Sequence, residues 1–287
     1  MALPPMTLPP MLRAALPSIP VVNQLPGIRK TGTELPGLLE VRHDVPVDRA
    51  HVAAYAEVCG FALKETLPIT YPHLLAFPLH MALMTDRSFP FPAIGTVHLE
   101  NAITQRRGIS PAEKLQVTAR TADLRPHAKG RLFDINVDVH SAGEPVWTSR
   151  STYLRLGGGD RETAVDGPTF EDVPAGALQW RLGGDLGRRY ASVSGDHNPI
   201  HLYALTAKAF GFPRQIAHGM WSKARCLAAL EGRLPDSVRV EVAFKKPVLL
   251  PGTVGFGSAR TGDDYAFALR RPRDDAAHLL GRVAPAG

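Results

Sequence analysis

The 287-residue sequence has only two cysteines and no long apolar run. Cys59 and Cys226 are too few for a disulfide framework, so we expect free, buried thiols and a reducing, cytoplasmic location. No stretch approaches the roughly 18 consecutive apolar residues of a membrane helix, so we expect no membrane partner. The N-terminal segment is interrupted by prolines and its first basic residue is Arg13, which argues against a signal peptide.

The sequence also lacks the motifs of several ligand classes. The net charge is +6, but Lys and Arg are spread along the chain without a nucleic-acid-binding motif, so we expect no nucleic-acid partner. The basic excess suits an anionic small molecule or an acidic carrier protein. There is no P-loop, no dinucleotide-binding glycine fingerprint and no C-x-x-C metal motif. We therefore expect neither a cofactor nor a metal.

What the sequence does contain is an internal repeat. Three pairs of segments match: Tyr55–Gly60 with Tyr190–Gly195, Leu79–Met81 with Ala217–Gly219, and Val97–Ile103 with Val238–Phe244. The first pair reads Y-A-x-V-x-G and the last pair V-x-apolar-E-x-A-apolar. Because the matches occur in the same order at nearly constant spacing, they indicate a duplicated domain.

Each copy has the same order of elements, namely a helix, a more apolar helix and a series of strands. We predict the first pair of helices over 47–59 and 185–193, and the second pair over 78–85 and 218–230, with Pro78 in a first helical turn. Alternating apolar residues predict strands over 133–139 and 238–242. A central helix wrapped by antiparallel strands is an α+β arrangement.

These elements divide the chain into four parts. We predict a proline-rich N-terminal arm over 1–35, a first lobe over 36–160, a linker over 161–177 and a second lobe over 178–287. A duplicated chain can supply both lobes alone, so we expect either a two-lobed monomer or a homodimer.

The second lobe contains the loop SGDHNPIH, Ser194–His201. Asn198 followed by Pro199 is typical of a helix start, with Asn198 as the N-cap. The loop would hold the carboxylate of Asp196 close to the imidazole of His201. Two such groups can share one water molecule and move a proton in either direction, which is general acid–base catalysis.

A structural explanation of the same loop is that Asp and Asn before a proline are ordinary capping residues. The repeat argues against it, because the first copy has Phe61 where the second has Asp196. A purely structural requirement would be expected in both copies, so chemistry at a single site is favoured. His197 is also titratable, and we predict that its side chain is exposed.

The start of the second apolar helix offers another functional group. We expect the N–H of Gly219 to lie at a helix N-terminus, where it suits a developing oxyanion, for example when a thioester carbonyl becomes an enolate. Alternatively, Gly219 only permits close packing of the helix against the sheet. In the aligned first copy, Met81 stands at the position of Gly219 and His80 at that of His218, which favours a structural role for His218.

Tyr190–His201 resembles the signature of the MaoC-like hydratases, also called hydratase 2 or (R)-specific enoyl-CoA hydratases, through its G-D-x-N-P-x-H core. His218–Met220 is similar to the helix start of that family. The resemblance is strong over 178–254, whereas the first half is a degenerate copy. It implies a double hot-dog fold, in which two antiparallel sheets each wrap a central helix. It also implies reversible hydration of a trans-2-enoyl thioester to the (3R)-3-hydroxyacyl thioester.

The resemblance also implies roles for individual residues. Asp196 and His201 would be the catalytic pair that holds the water, Asn198 would orient the pair, and Gly219 would donate to the thioester carbonyl. The substrate would be carried by coenzyme A (acyl-CoA) or by acyl carrier protein (acyl-ACP) in fatty-acid or related metabolism. A hot-dog thioesterase and a non-catalytic acyl-binding subunit remain as alternatives.

The first lobe lacks the motif, and in two-lobed relatives such a lobe is thought to make room for a long acyl tail. Apolar side chains that would line this space, or alternatively form plain core, are Leu74, Leu75, Phe77, Met81 and Met84. Basic side chains that would meet the phosphates of the carrier, or alternatively form a solvated face, are Lys245, Lys246, Arg106 and Arg107.

Overall fold

The computed structural model describes residues 34–93 and 95–286, so nearly all of the predicted N-terminal arm (1–35) lies outside the described residues. The first lobe contains β1 (Leu39–Val45), α1 (Arg49–Cys59), α2 (Tyr71–Thr85), β2 (Thr96–Gln105), β3 (Leu115–His127), β4 (Gly130–Ser141) and β5 (Glu144–Leu156). The second lobe contains β6 (Leu178–Leu182), α3 (Leu186–Ser194), α4 (Pro199–Leu202), α5 (Ala204–Ala209), α6 (Gly219–Leu230), β7 (Val238–Phe244), β8 (Gly252–Thr261), β9 (Asp264–Arg271) and β10 (Ala276–Pro285). None of the described helices is long and apolar enough to cross a membrane.

The ten described strands form one antiparallel sheet in the order β1-β3-β4-β5-β2-β7-β10-β9-β8-β6. Five strands come from each lobe, and the two sets meet where β2 pairs with β7. At this seam Glu100 lies opposite Ala243 and Gln105 lies opposite Val238. The predicted double hot-dog fold is confirmed, and its two sheets join edge to edge.

The helices α1 and α3 lie close to where they were predicted, but each lobe begins with a strand that was not predicted, β1 or β6. Asp48 caps α1, because its side chain accepts a hydrogen bond from the Ala50 N–H at 2.9 Å. Each helix ends at a glycine with positive φ, Gly60 at 80° and Gly195 at 74°. The buried rings of Tyr55 and Tyr190 lie 6.2 Å apart where the two helices meet.

The predicted start of the second first-lobe helix at Pro78 is wrong, because α2 already begins at Tyr71. Pro72 occupies the first turn, and Pro78 lies inside the helix, where it removes one N–H donor. Most of α2 is buried, so burial of apolar side chains outweighs the missing hydrogen bond.

This shift also corrects the alignment of the two copies. His218 is the N-cap residue of α6, whereas His80 lies in the second half of α2. The N-cap residue of α2 is Thr70, which is the structural counterpart of His218. The pairing of His80 with His218 and of Met81 with Gly219 is therefore wrong, and the structural argument for His218 loses its basis.

A buried lysine ties α6 to the seam between the lobes. The Nζ of Lys223 donates to the side-chain oxygen of Asn101 at 2.6 Å and to its carbonyl at 3.1 Å. It also lies 3.4 Å from the Val240 carbonyl on β7. Burial lowers the pKa of Lys223 well below its usual value. Cys59 and Cys226 are buried and free, as predicted.

Candidate active site

A cavity of about 240 Å³ is lined by side chains of both lobes. The second lobe contributes Asp196, Asn198, His201, His218 and Gly219 to its wall. The first lobe contributes residues of α2, β2 and β5. The four predicted site residues therefore lie around one space, which is what a shared catalytic role requires.

Hydrogen bonds to the main chain hold the loop Ser194–His201 in place. The side-chain oxygen of Asn198 accepts from the Ile200 N–H at 3.4 Å, and Pro199 is the first residue of α4. The Asn198 N-cap is thereby confirmed. The carboxylate of Asp196 accepts from the Asn198 N–H at 3.1 Å. Asp196 remains partly exposed at the cavity, whereas His197 is exposed to solvent, as predicted.

His201 is buried beside Asp196 as a neutral imidazole. Its Nδ1 lies 2.8 Å from the carbonyl oxygen of Ile216, and because a carbonyl can only accept, Nδ1 carries the proton. The other nitrogen, Nε2, is left unprotonated. Burial lowers the pKa of His201, although the charge of Asp196 and the bond to Ile216 oppose this effect. Near neutral pH the ring is thus able to accept a proton.

His218 belongs to the same cluster, which the sequence alignment did not predict. Its ring stacks on that of His201 with centroids 3.7 Å apart. Its Nε2 donates to the backbone carbonyl of Asp196 at 2.9 Å. Burial, followed by the neighbouring His201, lowers the pKa of His218 to about 3. The sequence signal that could have placed His218 in the site was its position directly before Gly219 at a helix start.

The packing interpretation of Gly219 is supported by the structure, and its donor role stays a prediction. A Cβ atom there would lie 3.2 Å from ring atoms of Phe244, so a side chain would disturb the packing of α6 on β7. As the first residue of α6, Gly219 also has an N–H outside the hydrogen-bond ladder of the helix. Gly219 lines the cavity and has no side chain that could cover this N–H.

Three groups of the site have the composition of a metal-binding triad. One ligand atom each from Asp196, His201 and His218 lies within 4.8 Å of the others. Each imidazole already donates one N–H to a backbone carbonyl, so each has a single nitrogen left for a ligand. The same unprotonated nitrogens can accept protons from water without a metal.

The predicted lining residues are partly confirmed. Leu74, Phe77, Met81 and Met84 line the cavity, but Leu75 does not. A helix turns about 100° per residue, so Leu75 lies on a different face of α2 from Leu74. The Leu75 carbonyl accepts a hydrogen bond from the Arg42 side chain.

The basic residues also divide into two groups. Lys245 and Lys246 are exposed at the cavity wall, as predicted. Arg106 and Arg107 do not line the cavity. Arg107 instead forms an ion pair with Glu113 at 2.7 Å, so the Glu113 carboxylate balances its positive charge.

The chain is similar to proteins of a known family. The family model described as MaoC like domain matches residues 183–271. The 3-hydroxyacyl-thioester dehydratase X of Mycobacterium tuberculosis is 40% identical over 282 residues, which cover 95% of this chain and 96% of that protein.

Solved structures give the same result. A crystal structure of HtdX from Mycobacterium tuberculosis matches with a TM-score of 0.78 at 39% identity, over 86% of this chain and 100% of that chain. A MaoC-like dehydratase from Phytophthora capsici matches with a TM-score of 0.70 at 18% identity, over 88% of this chain and 96% of that chain.

The Phytophthora likeness supports the fold. The 40% identity with the mycobacterial protein extends over nearly the full length of both chains and shows common family membership. The chain belongs to the family of MaoC-like dehydratases.

Proposed function

We propose that this protein catalyses the reversible dehydration of a (3R)-3-hydroxyacyl thioester to the trans-2-enoyl thioester. The observation that carries the proposal is the grouping of Asp196, His201 and the Gly219 helix start around one partly apolar cavity. A carboxylate and a neutral imidazole supply acid–base chemistry, and the helix start supplies a donor for the thioester oxygen.

In the hydration direction, Asp196 and His201 hold one water molecule against C3 of the enoyl chain. The O–H bond of the water breaks as its oxygen adds to C3, and its proton passes to the pair. The double-bond electrons move toward the thioester carbonyl, and a proton from the pair is then added at C2. Because the two groups share the proton, they are treated as one coupled acid–base unit. Both additions take place on the face of the double bond that lies toward the loop.

The negative charge that develops on the thioester oxygen is stabilised at the N-terminus of α6. The Gly219 N–H donates to this oxygen, and the positive end of the helix dipole adds to the effect. Loss of one such donor typically lowers the rate by about 10²- to 10³-fold. Asn198 and His218 act on the loop, since the Asn198 main-chain N–H donates to the Asp196 carboxylate and the His218 ring donates to the Asp196 carbonyl.

The carrier and the acyl tail would contact different residues of the cavity wall. Coenzyme A or acyl carrier protein would place phosphates near Lys245 and Lys246, which are exposed at the cavity. The tail would lie against Leu74, Phe77 and Met84.

A cytoplasmic, reducing location stays a prediction.

Loss of ultraviolet absorbance from the conjugated alkene of crotonyl-CoA and longer enoyl-CoAs tests the proposal. The wild-type protein should consume these substrates, and His201→Ala should lower kcat by about 10²- to 10⁴-fold. His197→Ala is the matched control, because this histidine lies in the same loop but is exposed. Release of free thiol would indicate a thioesterase instead, and tight binding without turnover would indicate an acyl-binding subunit.

We further propose that the reaction needs no metal or cofactor. Prolonged dialysis against a chelator should leave kcat within about twofold, because the pair and the helix start supply both kinds of catalysis. Metal analysis of the dialysed protein is the control. Loss of activity that returns on adding a divalent metal would contradict this proposal and point to the Asp196, His201 and His218 triad.

A further inference from the structure

The first lobe contains a buried group of rings that the proposed reaction does not use. His73 and His80 on α2, His98 on β2 and Tyr153 on β5 form what we call the histidine cluster. His98 lies opposite Tyr153 in the sheet, and their rings stack with centroids 4.6 Å apart. The ring of His73 lies 5.3 Å from that of His80 and 6.2 Å from that of His98.

Hydrogen-bonding groups of this cluster lack partners. Among the described residues, His73 Nδ1, His80 Nε2 and His98 Nε2 are buried and have no hydrogen-bond partner. The Nδ1 of His80 lies 3.1 Å from the Tyr153 hydroxyl. A buried polar group without a partner costs about 1–3 kcal/mol, so three in one cluster are not expected of plain core. Such a cluster indicates a polar group that the protein binds.

The histidine cluster adjoins the proposed active site. His73, His98 and Tyr153 line the same cavity as Asp196. The ring of His98 lies 5.2 Å from that of Phe244, which packs on Gly219. Burial raises the pKa of Tyr153, and the charge of Asp196 adds to this effect. A ligand in the cavity would therefore reach both the catalytic pair and the histidine cluster.

The cluster is uncharged near neutral pH. Burial lowers the pKa of His73 to about 4 and lowers those of His80 and His98 well below the usual value. A neutral imidazole has one N–H donor and one acceptor nitrogen. This combination suits an uncharged oxygen, such as a hydroxyl or a ketone, better than a carboxylate, for which a charged partner is needed.

We propose that the histidine cluster is a subsite for a hydroxyl or keto oxygen on the acyl chain beyond C3. The identity of the ligand as an acyl thioester rests on the proposed function. With the thioester oxygen at Gly219 and C3 at Asp196 and His201, only the rest of the chain is left to extend to the first lobe. Apolar lining residues contact its methylene groups, and the cluster contacts the oxygen. The lobe without the catalytic loop thereby selects the substrate.

Binding of saturated acyl-CoAs tests the subsite without turnover. An unsubstituted chain and isomers with a single hydroxyl at successive carbons beyond C3 are titrated calorimetrically into the full-length protein. We expect one hydroxyl position to bind about five- to tenfold more tightly than the unsubstituted chain, which corresponds to one neutral hydrogen bond.

Variants assign the preference to the cluster. His73→Leu and His98→Leu should remove the preference and bind the unsubstituted chain as the wild type does. His73→Gln keeps a donor and an acceptor and should retain part of the preference. His140→Leu, at a histidine of β4 whose Nδ1 is also unpartnered but which does not line the cavity, is the control and should retain all of it.

Two results would overturn the subsite. One is equal binding of all isomers and the unsubstituted chain to the wild type, or no binding of any of them. The other is a hydroxyl preference that persists in both leucine variants, which would place the oxygen elsewhere. Failure of the proposed function is seen separately, as unchanged enoyl absorbance with the wild-type protein.

Discussion

The two lobes share a scaffold and differ mainly in one connection. In the first lobe a short link joins the end of α1 at Gly60 to Thr70 before α2. In the second lobe the corresponding link, from Gly195 to His218, contains most of the loop with the candidate acid–base pair, together with α4 and α5. Both α1 and α3 end at a glycine in the left-handed conformation, Gly60 and Gly195, so the chain leaves the two helices in the same way. The residues of the candidate site therefore lie in a longer connection that is inserted into a common fold.

The lobes also position each other through matching hydrogen bonds. The Nε2 of His51, in the first lobe, donates to the Val193 carbonyl at 2.9 Å. The indole N–H of Trp221, in the second lobe, donates to the Val58 carbonyl at 3.0 Å. Val58 and Val193 hold the same position in the repeat. Only the bond at Val193 precedes the loop with the candidate acid–base pair, so we expect the same contact to have a different consequence in each lobe.

Apart from the acid–base pair, the largest effect is expected at Gly219, which has no glycine counterpart at the start of α2. In a Phe244→Leu background, which makes room for a side chain, Gly219→Ala keeps the N–H and should stay within about fivefold of its parent. Gly219→Pro removes the N–H and should lower kcat by about 10²- to 10³-fold, with a smaller change in KM. Steady-state kinetics with an enoyl-CoA measures both values. Equal losses in the two variants would show that Gly219 serves packing alone.

A smaller effect is expected at His218, whose first-lobe counterpart is Thr70. His218→Phe retains a ring against His201 but loses the bond to the Asp196 carbonyl, so kcat should fall about tenfold. Thr70→Val removes the partner of the Tyr55 hydroxyl and should lower stability by about 1 kcal/mol with little change in kcat. Kinetics and urea denaturation of both variants test the contrast. Wild-type kcat in His218→Phe would exclude His218 from the positioning of the loop.

The matching interlobe bonds predict an effect of a few-fold. His51→Leu should lower kcat about three- to tenfold, because the turn that leads into the catalytic loop loses its hydrogen bond. Trp221→Phe removes the equivalent bond to Val58 and should lower the free energy of unfolding by about 1 kcal/mol while kcat is kept. A similar loss of kcat in both variants would mean that interlobe packing in general, and not the loop, is responsible.

Much of the site was predictable because it is local in the sequence. Asp196, Asn198 and His201 lie in one loop, and capping rules and the G-D-x-N-P-x-H spacing identified them. The duplication was readable from the Tyr55 and Tyr190 segments. The candidate roles of these residues can be inferred from a short stretch of the sequence.

The remaining features depend on contacts between distant segments. The stacking of His218 on His201 and the Ile216 carbonyl that sets the tautomer of His201 follow from where α6 begins. The seam between β2 and β7 and the burial of Lys223 follow from how the lobes meet. Local propensity also misplaced the start of α2 at Pro78, since tertiary burial overrides it.

The smallest contrast concerns the buried histidines, which both lobes contain. They include His73 and His80 in the first lobe and His201, His218 and His278 in the second. Burial lowers the pKa of His73 to about 4 and that of His218 to about 3. An unfolded histidine has a pKa of about 6.5, so below this pH the unfolded chain binds protons that the folded chain does not. The free energy of unfolding should therefore fall as the pH falls toward 4.

Single variants measure each histidine's share of this acid sensitivity. Between pH 7 and pH 5, His73→Phe should reduce the loss of stability by about 1–2 kcal/mol, whereas the exposed His197→Phe should leave it unchanged. Urea denaturation at a series of pH values gives the free energies. An identical pH dependence in the two variants would contradict the assignment of a neutral, buried His73.

The central claim is that the second lobe alone performs the chemistry, and one matched pair of variants tests it most directly. Asp196 and Phe61 each follow the glycine that ends the first helix of their lobe. Turnover of crotonyl-CoA is measured for Asp196→Asn and Phe61→Leu under conditions in which both are folded. We predict that Asp196→Asn loses about 10²- to 10⁴-fold in kcat and that Phe61→Leu stays within about threefold of wild type. Wild-type turnover by Asp196→Asn, or an equally large loss in Phe61→Leu, would contradict the account.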